Sequence, residues 1–462
     1  MLEGLHKIVS SDETIVAIST PLGHSGLGVI RISGNAAQGL AQRLFQSHAQ
    51  NSELKHRTAA LGTWKDQHGD PIDEVVITFF QGPRSYTGED VIEISAHGNP
   101  TVLRKIVESA RLAGARLAVP GEFTLRAVGN GKMDLLQAEA LKNFIEAQTE
   151  QQSKTAMRQM EGSLSRQILP FKHKLIDVIA QLEAGIDFAE DDVDVPSNAG
   201  VIDSIRPVRA NLQKLQGTYE YGRILAQGFR LAILGKPNVG KSSLFNCLVA
   251  AERAIVTDIP GTTRDVLSET VSLDGVPLCF ADTAGIREAT DEVERLGVAR
   301  TWDTVSDADM ALIVLDGSRS LDSDDQSALE KGRRMPHLVI INKSDLPTCA
   351  DTSVLNGSPR VIVSAKTGEG LEELRMALRA NLLSRKTDLN DDLILMNVRQ
   401  CEAVEGAAFA LGAAEDGLRA GLPHEMVLLE LYRALADLNE LTGEVVTEDI
   451  LDRIFSTFCI GK

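Results

Sequence analysis

The first part of the chain, from Thr14 to about Arg126, alternates short β-rich runs with stretches whose apolar residues recur every three or four positions. Alternation of apolar and polar residues is typical of a strand with one buried face, and a period near 3.6 is typical of an amphipathic helix. The strand-like runs are IVAIS, GVIRIS, EVVITFF and VIEISAHG, and the helix-like stretches are AAQGLAQRLF and VLRKIVESARLAG. The pattern predicts an α+β domain over residues 1–130.

The pattern changes after Asn130. From Met133 to about Gly228 there is little β-branched alternation, and Ala, Leu, Glu and Gln dominate, with apolar positions three and four residues apart. This spacing predicts a helical segment over residues 131–227. Within it, the acidic residues Glu190, Asp191, Asp192 and Asp194, followed by Pro196, are most simply a solvated turn between two helices. A second helical segment is predicted over residues 385–462, where one face carries Leu428, Leu431, Leu435 and Leu438.

Residues 228–384, between the two helical segments, alternate strands with helices. The strand-like runs are RLAILG, VPLCFADTAG, MALIVLDG, HLVIINKSD and RVIVSAK, and the helices are predicted from Ser242 and over GLEELRMALRANLL. Strands separated by helices form a parallel sheet that helices cover. Inserted domains enter at exposed loops and leave the two halves of the host to pack together. We therefore expect a multidomain α/β protein in which an inserted α/β domain interrupts an all-α helical domain.

Length and composition agree with several soluble domains. The chain has 462 residues, of which 43% are hydrophobic and 24% are charged, so a single core and wholesale disorder are both excluded. No apolar run approaches the length of about 18 residues that a membrane span requires. The opening segment carries Glu3, Lys7, Asp12 and Glu13 instead of an uninterrupted apolar core. We expect a cytoplasmic protein without a membrane partner.

The charge balance limits how nucleic acid could be bound. The net charge is −18, which disfavours adhesion of the whole surface to nucleic acid or to a membrane. Residues 1–130 are nearly balanced, with 12 basic and 13 acidic residues. RNA would therefore be bound through local basic patches or through a second protein. The 5 cysteines are widely spaced and form no Cys-x-x-Cys pair, so most are expected to be small buried hydrophobic residues.

The strongest chemical signal is GKPNVGKS over residues 235–242, a complete G-x-x-x-x-G-K-S between a predicted strand and a predicted helix. Glycines allow backbone N–H groups to close around phosphates. The ammonium group of Lys241 can reach the β- and γ-phosphates, and the hydroxyl group of Ser242 can bind Mg²⁺ at the start of the helix. The motif predicts a nucleotide phosphate site.

Three later motifs select the nucleotide. Asp282-Thr283-Ala284-Gly285 ends a strand, where the carboxylate can hold Mg²⁺ through water and the glycine N–H can meet the γ-phosphate. In NKSD (342–345), the Asp345 carboxylate can accept hydrogen bonds from N1–H and the exocyclic amine of guanine. Adenine lacks this pair of donors and would leave the carboxylate unpaired. Ser364-Ala365-Lys366 adds a second loop on the base side. The order of the motifs predicts GTP.

These motifs resemble those of the translation-factor-related GTPases, and longer blocks narrow the resemblance. DIPGTTRD (258–265) and DEVERLG (291–297) look like switch I and switch II of the MnmE (TrmE) tRNA-modification GTPases, within the TrmE-Era-EngA-like group. YTGEDVIEISAHGN, PGEFTLRAVGNGKMDLLQAEA and the final FCIGK are similar to the same family at both ends. The resemblance covers essentially the whole chain. It implies a folate-binding and dimerisation domain at 1–130, helical parts at 131–227 and 385–462, and a Ras-like P-loop GTPase domain at 228–384.

The resemblance implies the residues of the nucleotide site. The GTP-binding set consists of Asn238, Val239, Gly240, Lys241, Ser242, Ser243, Thr257, Asp258, Ile259, Pro260, Gly261, Thr262, Thr263, Asp282, Thr283, Ala284, Gly285, Asn342, Lys343, Asp345, Ser364, Ala365 and Lys366. Mg²⁺ is assigned to Ser242 and Thr263. K⁺, which supplies positive charge between the β- and γ-phosphates in the family, is assigned to Asn238, Thr257, Ile259 and Thr262.

The residue that orients the attacking water is not the one that Ras-type GTPases use. Ile286 stands where they carry glutamine, and it can form no hydrogen bond to a water. The resemblance implies that Glu294 acts instead, through an intervening water. From the residues alone, an ordinary solvated helix acid is favoured for Glu294, because residues 291–295 hold four charged side chains. Arg264 and Arg287 stay open as alternative sources of positive charge.

The resemblance also assigns a folate site, for 5-formyltetrahydrofolate or a related form, to Arg31, Glu93, Lys132 and Lys462. A carboxylate suits the donor edge of a pterin, and cations suit the glutamate tail. Cys459, three residues before the end of the sequence, is a candidate catalytic thiol because a nearby cation such as Lys462 would favour its thiolate. A buried tail cysteine is the alternative.

The implied function is a K⁺-dependent, homodimeric GTPase that forms a heterotetramer with an MnmG-type FAD-binding subunit. Together they would add a carboxymethylaminomethyl or aminomethyl group to C5 of the wobble uridine (U34) of certain tRNAs. GTP hydrolysis would drive G-domain association and conformational control. Two alternatives stay open. One is a regulatory Era-like switch acting on RNA or ribosome assembly, and the other is a folate transferase with a vestigial GTPase domain.

Overall fold

The computed structural model describes residues 13–49, 53–187, 196–251, 270–281, 308–355, 357–385 and 393–461. The chain forms two compact units, each assembled from separate stretches of sequence. The first unit contains Met1–Lys142, Gln159–Arg209 and Gly406–Lys462. The second unit contains Asn143–Arg158 and Ala210–Glu405.

The first unit contains a seven-stranded sheet in the order β3-β4-β5-β6-β2-β1-β7, antiparallel except for the β1–β7 pair. Its strands are β1 (Ile15–Ile18), β2 (Ser25–Ser33), β3 (Phe45–Ser47), β4 (Ala59–Lys65), β5 (Pro71–Phe80), β6 (Val91–Gly98) and β7 (Arg116–Leu117). The four strands predicted from alternation are confirmed as β1, β2, β5 and β6. The short strands β3 and β7, and the glycine-containing β4, carry no comparable pattern.

The second unit contains a six-stranded sheet in the order β13-β12-β11-β8-β10-β9. Its strands are β8 (Phe229–Leu234), β9 (Thr270–Leu273), β10 (Val276–Ala281), β11 (Met310–Asp316), β12 (His337–Asn342) and β13 (Arg360–Ile362). All described pairs except β9–β10 are parallel. Every residue of β11 is buried, as its continuous apolar run requires in a sheet covered on both faces. The predicted parallel, helix-flanked sheet is confirmed.

Fourteen α-helices lie in the part of the chain that the structure describes. They are α1 (Ala37–Leu44), α2 (Pro100–Leu112), α3 (Glu122–Gly129), α4 (Leu135–Glu146), α5 (Glu150–Met160), α6 (Ser163–Asp187), α7 (Asn198–Gln216), α8 (Tyr219–Gln227), α9 (Lys241–Ala251), α10 (Ser323–Gly332), α11 (Leu371–Leu383), α12 (Val398–Arg419), α13 (His424–Thr442) and α14 (Glu448–Phe455). A 3₁₀ helix covers Thr352–Leu355.

Local sequence explains where several helices begin. Asn99 precedes Pro100 of α2, and its side chain accepts a hydrogen bond from Thr101 N at 2.9 Å. Asp322 and Asp325 form a reciprocal capping box at the start of α10. Both devices satisfy N–H groups that a helix leaves unpaired at its first turn.

Each unit buries its own hydrophobic residues. In the first, the inner face of the sheet packs with α1 and α2 around the fully buried Trp64, whose indole N–H donates to Ser109 Oγ at 2.8 Å. In α13, Leu428, Leu431 and Leu438 are buried as the leucine spacing predicts, and Leu435 is partly buried. The second unit has a separate core that contains Phe245 and Phe280 in an edge-to-face contact.

One expectation is wrong, and another concerns residues outside the described ranges. The predicted solvated turn at 190–194 lies outside the described residues. The expectation of buried cysteines is wrong: Cys349 and Cys459 are exposed, and Cys247, Cys279 and Cys401 are partly exposed. Among the described helices, none is both long enough and apolar enough to cross a membrane.

Candidate functional site: a phosphate loop in the second unit and an arginine–glutamate pair in the first

The loop between β8 and α9 has a backbone that glycine makes possible. Gly235, Asn238 and Gly240 all have positive φ, at 144°, 62° and 99°. A side chain at Gly235 would meet the carbonyl oxygen of Val314, and one at Gly240 would meet the side-chain amide of Asn342. The loop therefore needs glycine at both places. Asparagine is among the residues that tolerate the left-handed conformation best.

Lys241 begins α9 and folds over this loop. Its Nζ donates hydrogen bonds to the carbonyl oxygens of Gly235 and Lys236, both at 2.8 Å. Ser242, partly buried, and Ser243, exposed, follow in the first turn of the helix. The first N–H groups of a helix lack backbone partners and carry partial positive charge, so they attract phosphate. Ammonium, hydroxyl and backbone donors thus lie together around the loop.

Asn342 connects three of the predicted motifs. Its Nδ2 donates to Val239 O at 2.8 Å, and its Oδ1 accepts from Ala365 N at 3.0 Å. The side chain is buried within the second unit. Asn342 therefore holds the phosphate loop and the 364–366 loop together, which the sequence reasoning about guanine did not include.

The neighbouring residues arrange the side chains that the sequence assigned to the base. Ser364 is fully buried, and its Oγ donates to Oδ1 of the exposed Asp345 at 2.7 Å. Lys343 has a φ of 69°, and its Nζ donates to Asp316 Oδ2 at 2.7 Å. Lys366 is exposed. These contacts orient the Asp345 carboxylate at the carboxyl end of the sheet.

Asp316, at the end of β11, was not singled out from the sequence. Burial raises the pKa of Asp316, but hydrogen bonds from Lys343 and Ser318 outweigh burial and lower this pKa below its usual value. The carboxylate therefore stays ionised and fixes the side chain of Lys343. The signal available in the sequence was a single aspartate after a buried apolar strand, which is too weak to select it.

Two other contacts of the loop were also missed. The Nζ of Lys236 forms ion pairs with Asp322 and with Asp325 Oδ2, the latter at 2.8 Å, and so joins the loop to the capping box of α10. Cys247 Sγ donates to Ala365 O at 2.9 Å. The D-x-x-D spacing before an apolar run indicates a helix cap, but nothing in it identifies the lysine partner.

The remaining nucleotide-site predictions fall outside the described residues. They are Thr257, Asp258, Ile259, Pro260, Gly261, Thr262, Thr263, Asp282, Thr283, Ala284, Gly285 and Glu294, together with the alternatives Arg264 and Arg287. Strand β10 ends at Ala281, which pairs with Ala232 of β8. The chain therefore enters the Asp282 motif from the strand beside the one that leads into the phosphate loop.

A second candidate site lies in the first unit. Arg31 of β2 and Glu93 of β6 are direct cross-strand neighbours. The Nη2 and Nε atoms of Arg31 donate to Glu93 Oε1 at 2.7 and 3.1 Å. The guanidinium carbon of Arg31 lies 5.0 Å from the centre of the Tyr86 ring and 5.8 Å from that of Phe123. Such contacts hold a cation over aromatic faces and fix its direction.

The end of the described chain reaches the same place. The carbonyl oxygen of Gly461 accepts hydrogen bonds from Ser19 Oγ at 3.1 Å and from Arg31 Nη1 at 3.5 Å. Cys459 is exposed two residues earlier, and Lys462 lies outside the described residues. Lys132 donates to a different loop, at Pro83 O, over 2.9 Å. The structure thus brings Arg31, Glu93 and the tail together, while the described partner of Lys132 belongs to another segment.

Tyr86 and Ser19 belong to this site and were not predicted. Burial raises the pKa of Tyr86, against a hydrogen bond with Thr124 and the charge of Arg31, so the phenol stays protonated near neutral pH. Tyr86 OH and Thr124 Oγ1 are 2.8 Å apart. Tyr86 lies in the YTGED block, where an aromatic side chain in a polar loop was the available signal.

Two family models together match most of the chain. A family model described as "GTP-binding protein TrmE N-terminus" matches residues 14–132, and one described as "MnmE helical domain" matches residues 135–459. Three full-length relatives carry the name "tRNA modification GTPase MnmE". The protein of Koribacter versatilis is 45% identical over 98% of this chain and 99% of its own length. The protein of Aquifex aeolicus is 42% identical over 97% of this chain and 100% of its own length.

The third relative, from Syntrophotalea carbinolica, is 42% identical over 98% of this chain and 100% of its own length. The matches run through the arginine–glutamate pair, the phosphate loop and the helical segments without a large gap in coverage. Because these relatives cover almost the whole chain, including the phosphate loop and the NKSD loop, the chain belongs to the MnmE family. It is a GTP hydrolase that acts in the modification of tRNA.

Proposed function

We propose that this GTPase requires K⁺ and Mg²⁺ and works as a homodimer with an MnmG-type FAD-binding subunit, in a heterotetramer. In this proposal the complex adds a carboxymethylaminomethyl or aminomethyl group to C5 of the wobble uridine of certain tRNAs in the cytoplasm. A reduced folate, 5-formyltetrahydrofolate or a related form, supplies the carbon. GTP hydrolysis drives G-domain association and the conformational changes that accompany it. The observation that supports the proposal most is the geometry of the phosphate loop.

The loop fits a Mg²⁺–nucleotide. Gly235 and Gly240 pack too closely against Val314 and Asn342 to carry a Cβ atom, and the first turn of α9 follows the loop directly. The start of a helix attracts phosphate. Ser242 and Thr263 would hold Mg²⁺, which neutralises phosphate charge when bound. Lys241, now bonded to two loop carbonyls, would bind the β- and γ-phosphates through the same ammonium group.

Asp345 would give the site its preference for guanine. The hydrogen bond from buried Ser364 fixes Oδ1 of Asp345 and leaves the exposed carboxylate directed at the base side of the loop. Guanine offers N1–H and an amine as paired donors, whereas adenine would leave the carboxylate without them. Asn342, Lys343, Ala365 and Lys366 hold or flank this carboxylate.

Asn238 would be the side-chain ligand of K⁺. It is exposed at the turn of the loop and has a left-handed backbone conformation, whereas the next residue, Val239, is buried. A neutral amide oxygen suits a weakly hydrated monovalent cation. Thr257, Ile259 and Thr262 would complete the ligand set, and Glu294 would orient the attacking water through a second water. Asp258, Pro260 and Gly261 belong to the same segment and would contribute to GTP binding there.

The first-unit site fits a reduced folate. Both hydrogen bonds that Arg31 donates to Glu93 go to Oε1, so Oε2 can accept from the donor edge of a pterin. Arg31, Lys132 and Lys462 would attract the glutamate tail, and dimerisation through this domain would complete the site. Cys459 is exposed near the described end of the chain, as a catalytic thiol would need to be.

The test is the initial rate of GTP hydrolysis by the full chain in KCl and in NaCl at matched ionic strength. We expect a rate at least about tenfold higher in KCl, because positive charge at the transition state is worth more than about 1.4 kcal/mol. Asn238→Ala should lose this stimulation, and Glu294→Ala should be slow in both salts while it still binds GTP.

Asn246→Ala, at an exposed asparagine of α9, is the matched control and should keep the stimulation. Equal rates in the two salts for the unmodified protein would contradict the K⁺ mechanism. Hydrolysis would then depend on another source of charge, such as Arg264 or Arg287.

A further inference from the structure

A group of cations lies beside the end of β5 in the first unit. Lys55, Arg57 and Arg84 are all exposed, and the partly exposed His56 lies among them. We call these four residues the basic cluster. It does not include the Arg31–Glu93 pair or the phosphate loop, and the comparisons assign no role to it.

Hydrogen bonds bring the two segments of the cluster side by side. Arg57 N donates to Phe79 O at 2.7 Å, and Gln81 N donates to His56 Nδ1 at 2.9 Å. A turn follows, in which Arg84 N donates to Gln81 O at 3.0 Å. The cations at 55–57 and at 84 are therefore held on one surface although 27 residues of sequence separate Arg57 from Arg84.

His56 lies among the cations of the cluster and feels the charges of Arg57 and Arg84. Burial lowers the pKa of His56, and the charges of Arg57 and Arg84 lower it further. Because Nδ1 accepts the hydrogen bond from Gln81 N, Nε2 carries the proton of the neutral ring. That Nε2 is covered and has no hydrogen-bond partner among the described residues.

The cations of the cluster have no carboxylate partners in the part of the chain that the structure describes. By contrast, Arg111 pairs with Glu108, and Arg126 pairs with Glu89 and Glu122. Of the carboxylates in the same segments, Glu53 is exposed, Glu89 pairs with Arg126, and Asp90 accepts from Gly82 N. A cluster of unpaired cations is unusual on a chain with a net charge of −18, and it provides a local field that a polyanion can use.

We propose that the basic cluster binds the sugar–phosphate backbone of the tRNA substrate. Guanidinium groups match phosphate oxygens with two parallel hydrogen bonds, and lysine adds a point charge. Such contacts place the RNA without reading its sequence. The inference rests on the assignment to tRNA modification, and it requires neither K⁺ dependence nor a particular chemical group on the uridine.

The test is equilibrium binding of an unmodified tRNA transcript to the full chain over a series of KCl concentrations. Each phosphate contact adds roughly one to the slope of log affinity against log salt. The triple variant Lys55→Gln/Arg57→Gln/Arg84→Gln should therefore have a slope shallower by about 2–3 and an affinity at least about tenfold lower in low salt. Arg84→Gln alone should reduce the slope by about 1. It leaves Arg57 unchanged, whose φ of 57° is a left-handed conformation.

Arg104→Gln/Lys105→Gln is the matched control because both cations are exposed on α2 and have no ion pair among the described residues. It should keep the slope of the unmodified protein. Thermal unfolding and GTP hydrolysis should be unchanged in every variant. An unchanged slope in the triple variant would overturn the proposal. An equal loss of slope in the control variant would also overturn it. So would a triple variant that binds tRNA normally but has lost affinity for a folate with several glutamates in its tail. None of these results depends on whether K⁺ stimulates hydrolysis.

Discussion

At the scale of single residues, Asn342 has a different role from the one that its motif suggests. The sequence places it at the head of NKSD, where the argument for guanine rests on Asp345. The structure uses its amide to bridge Val239 O and Ala365 N, 103 and 23 residues away in sequence. A motif gives the order of functional residues along the chain. It does not reveal which member of the motif holds the loops together, because that depends on distant backbone groups.

We predict that Asn342→Ala destabilises the second unit and weakens GTP binding together. The substitution leaves a buried carbonyl and a buried N–H unpaired, at a cost of about 1–3 kcal/mol each. Denaturant unfolding of the full chain, with and without GTP, measures both effects. Asn381→Ala is the control, since it removes one local hydrogen bond to Ala377 O and should cost about 0.5–1.5 kcal/mol. Equal losses in the two variants would contradict the bridging role.

At the scale of elements, the long periodic strands and helices could be predicted, and the short strands at the edges of the sheets could not. Strand β9 was missed, although the sequence holds its signal. Asp274-Gly275 joins β9 to β10 as a two-residue turn with φ values of 50° and 85°, and Asp-Gly is a preferred pair for such turns. The four-residue β9 is too short for its alternation to be recognised alone.

The turn of this hairpin leads to a prediction about glycine. A Cβ at Gly275 would lie 2.8 Å from Cβ of Gln151, whereas a Cβ at Gly69, which also has a positive φ of 89°, would meet nothing within 4 Å. Gly69→Ala should therefore cost only the backbone penalty of roughly 1–2 kcal/mol. Gly275→Ala should cost a further 1–3 kcal/mol or so, because packing around Gln151 must shift. Equal changes in the free energy of unfolding would show that the contact with Gln151 is unimportant.

At the scale of the whole molecule, the first unit joins the two ends of the described chain. The hydrogen bond from Ser19 Oγ to Gly461 O spans 442 residues. Phe455 and Phe458 of the last segment pack with Val128, Leu135 and Leu451 in one buried cluster. The hydrophobic pattern predicts that α14 has a buried face, but a single sequence does not say which surface covers it. The resemblance at both ends of the sequence was the signal that pointed to a shared site.

The last prediction concerns this joint between the ends. Phe455 is 3% exposed, and a Cβ at Gly121 would lie 2.7 Å from its carbonyl oxygen, so the surrounding residues cannot easily fill a cavity there. Phe455→Ala should lower the stability of the first unit by about 3–5 kcal/mol. GTP raises the unfolding temperature of the unit that binds it, which identifies the transition of the second unit in a thermal scan. Phe455→Ala should lower the other transition and leave GTP binding unchanged. Ile460→Ala, at a side chain that is 59% exposed, should change either transition by less than about 0.5 kcal/mol. A fall in the GTP-sensitive transition alone would show that the end of the chain stabilises the second unit instead.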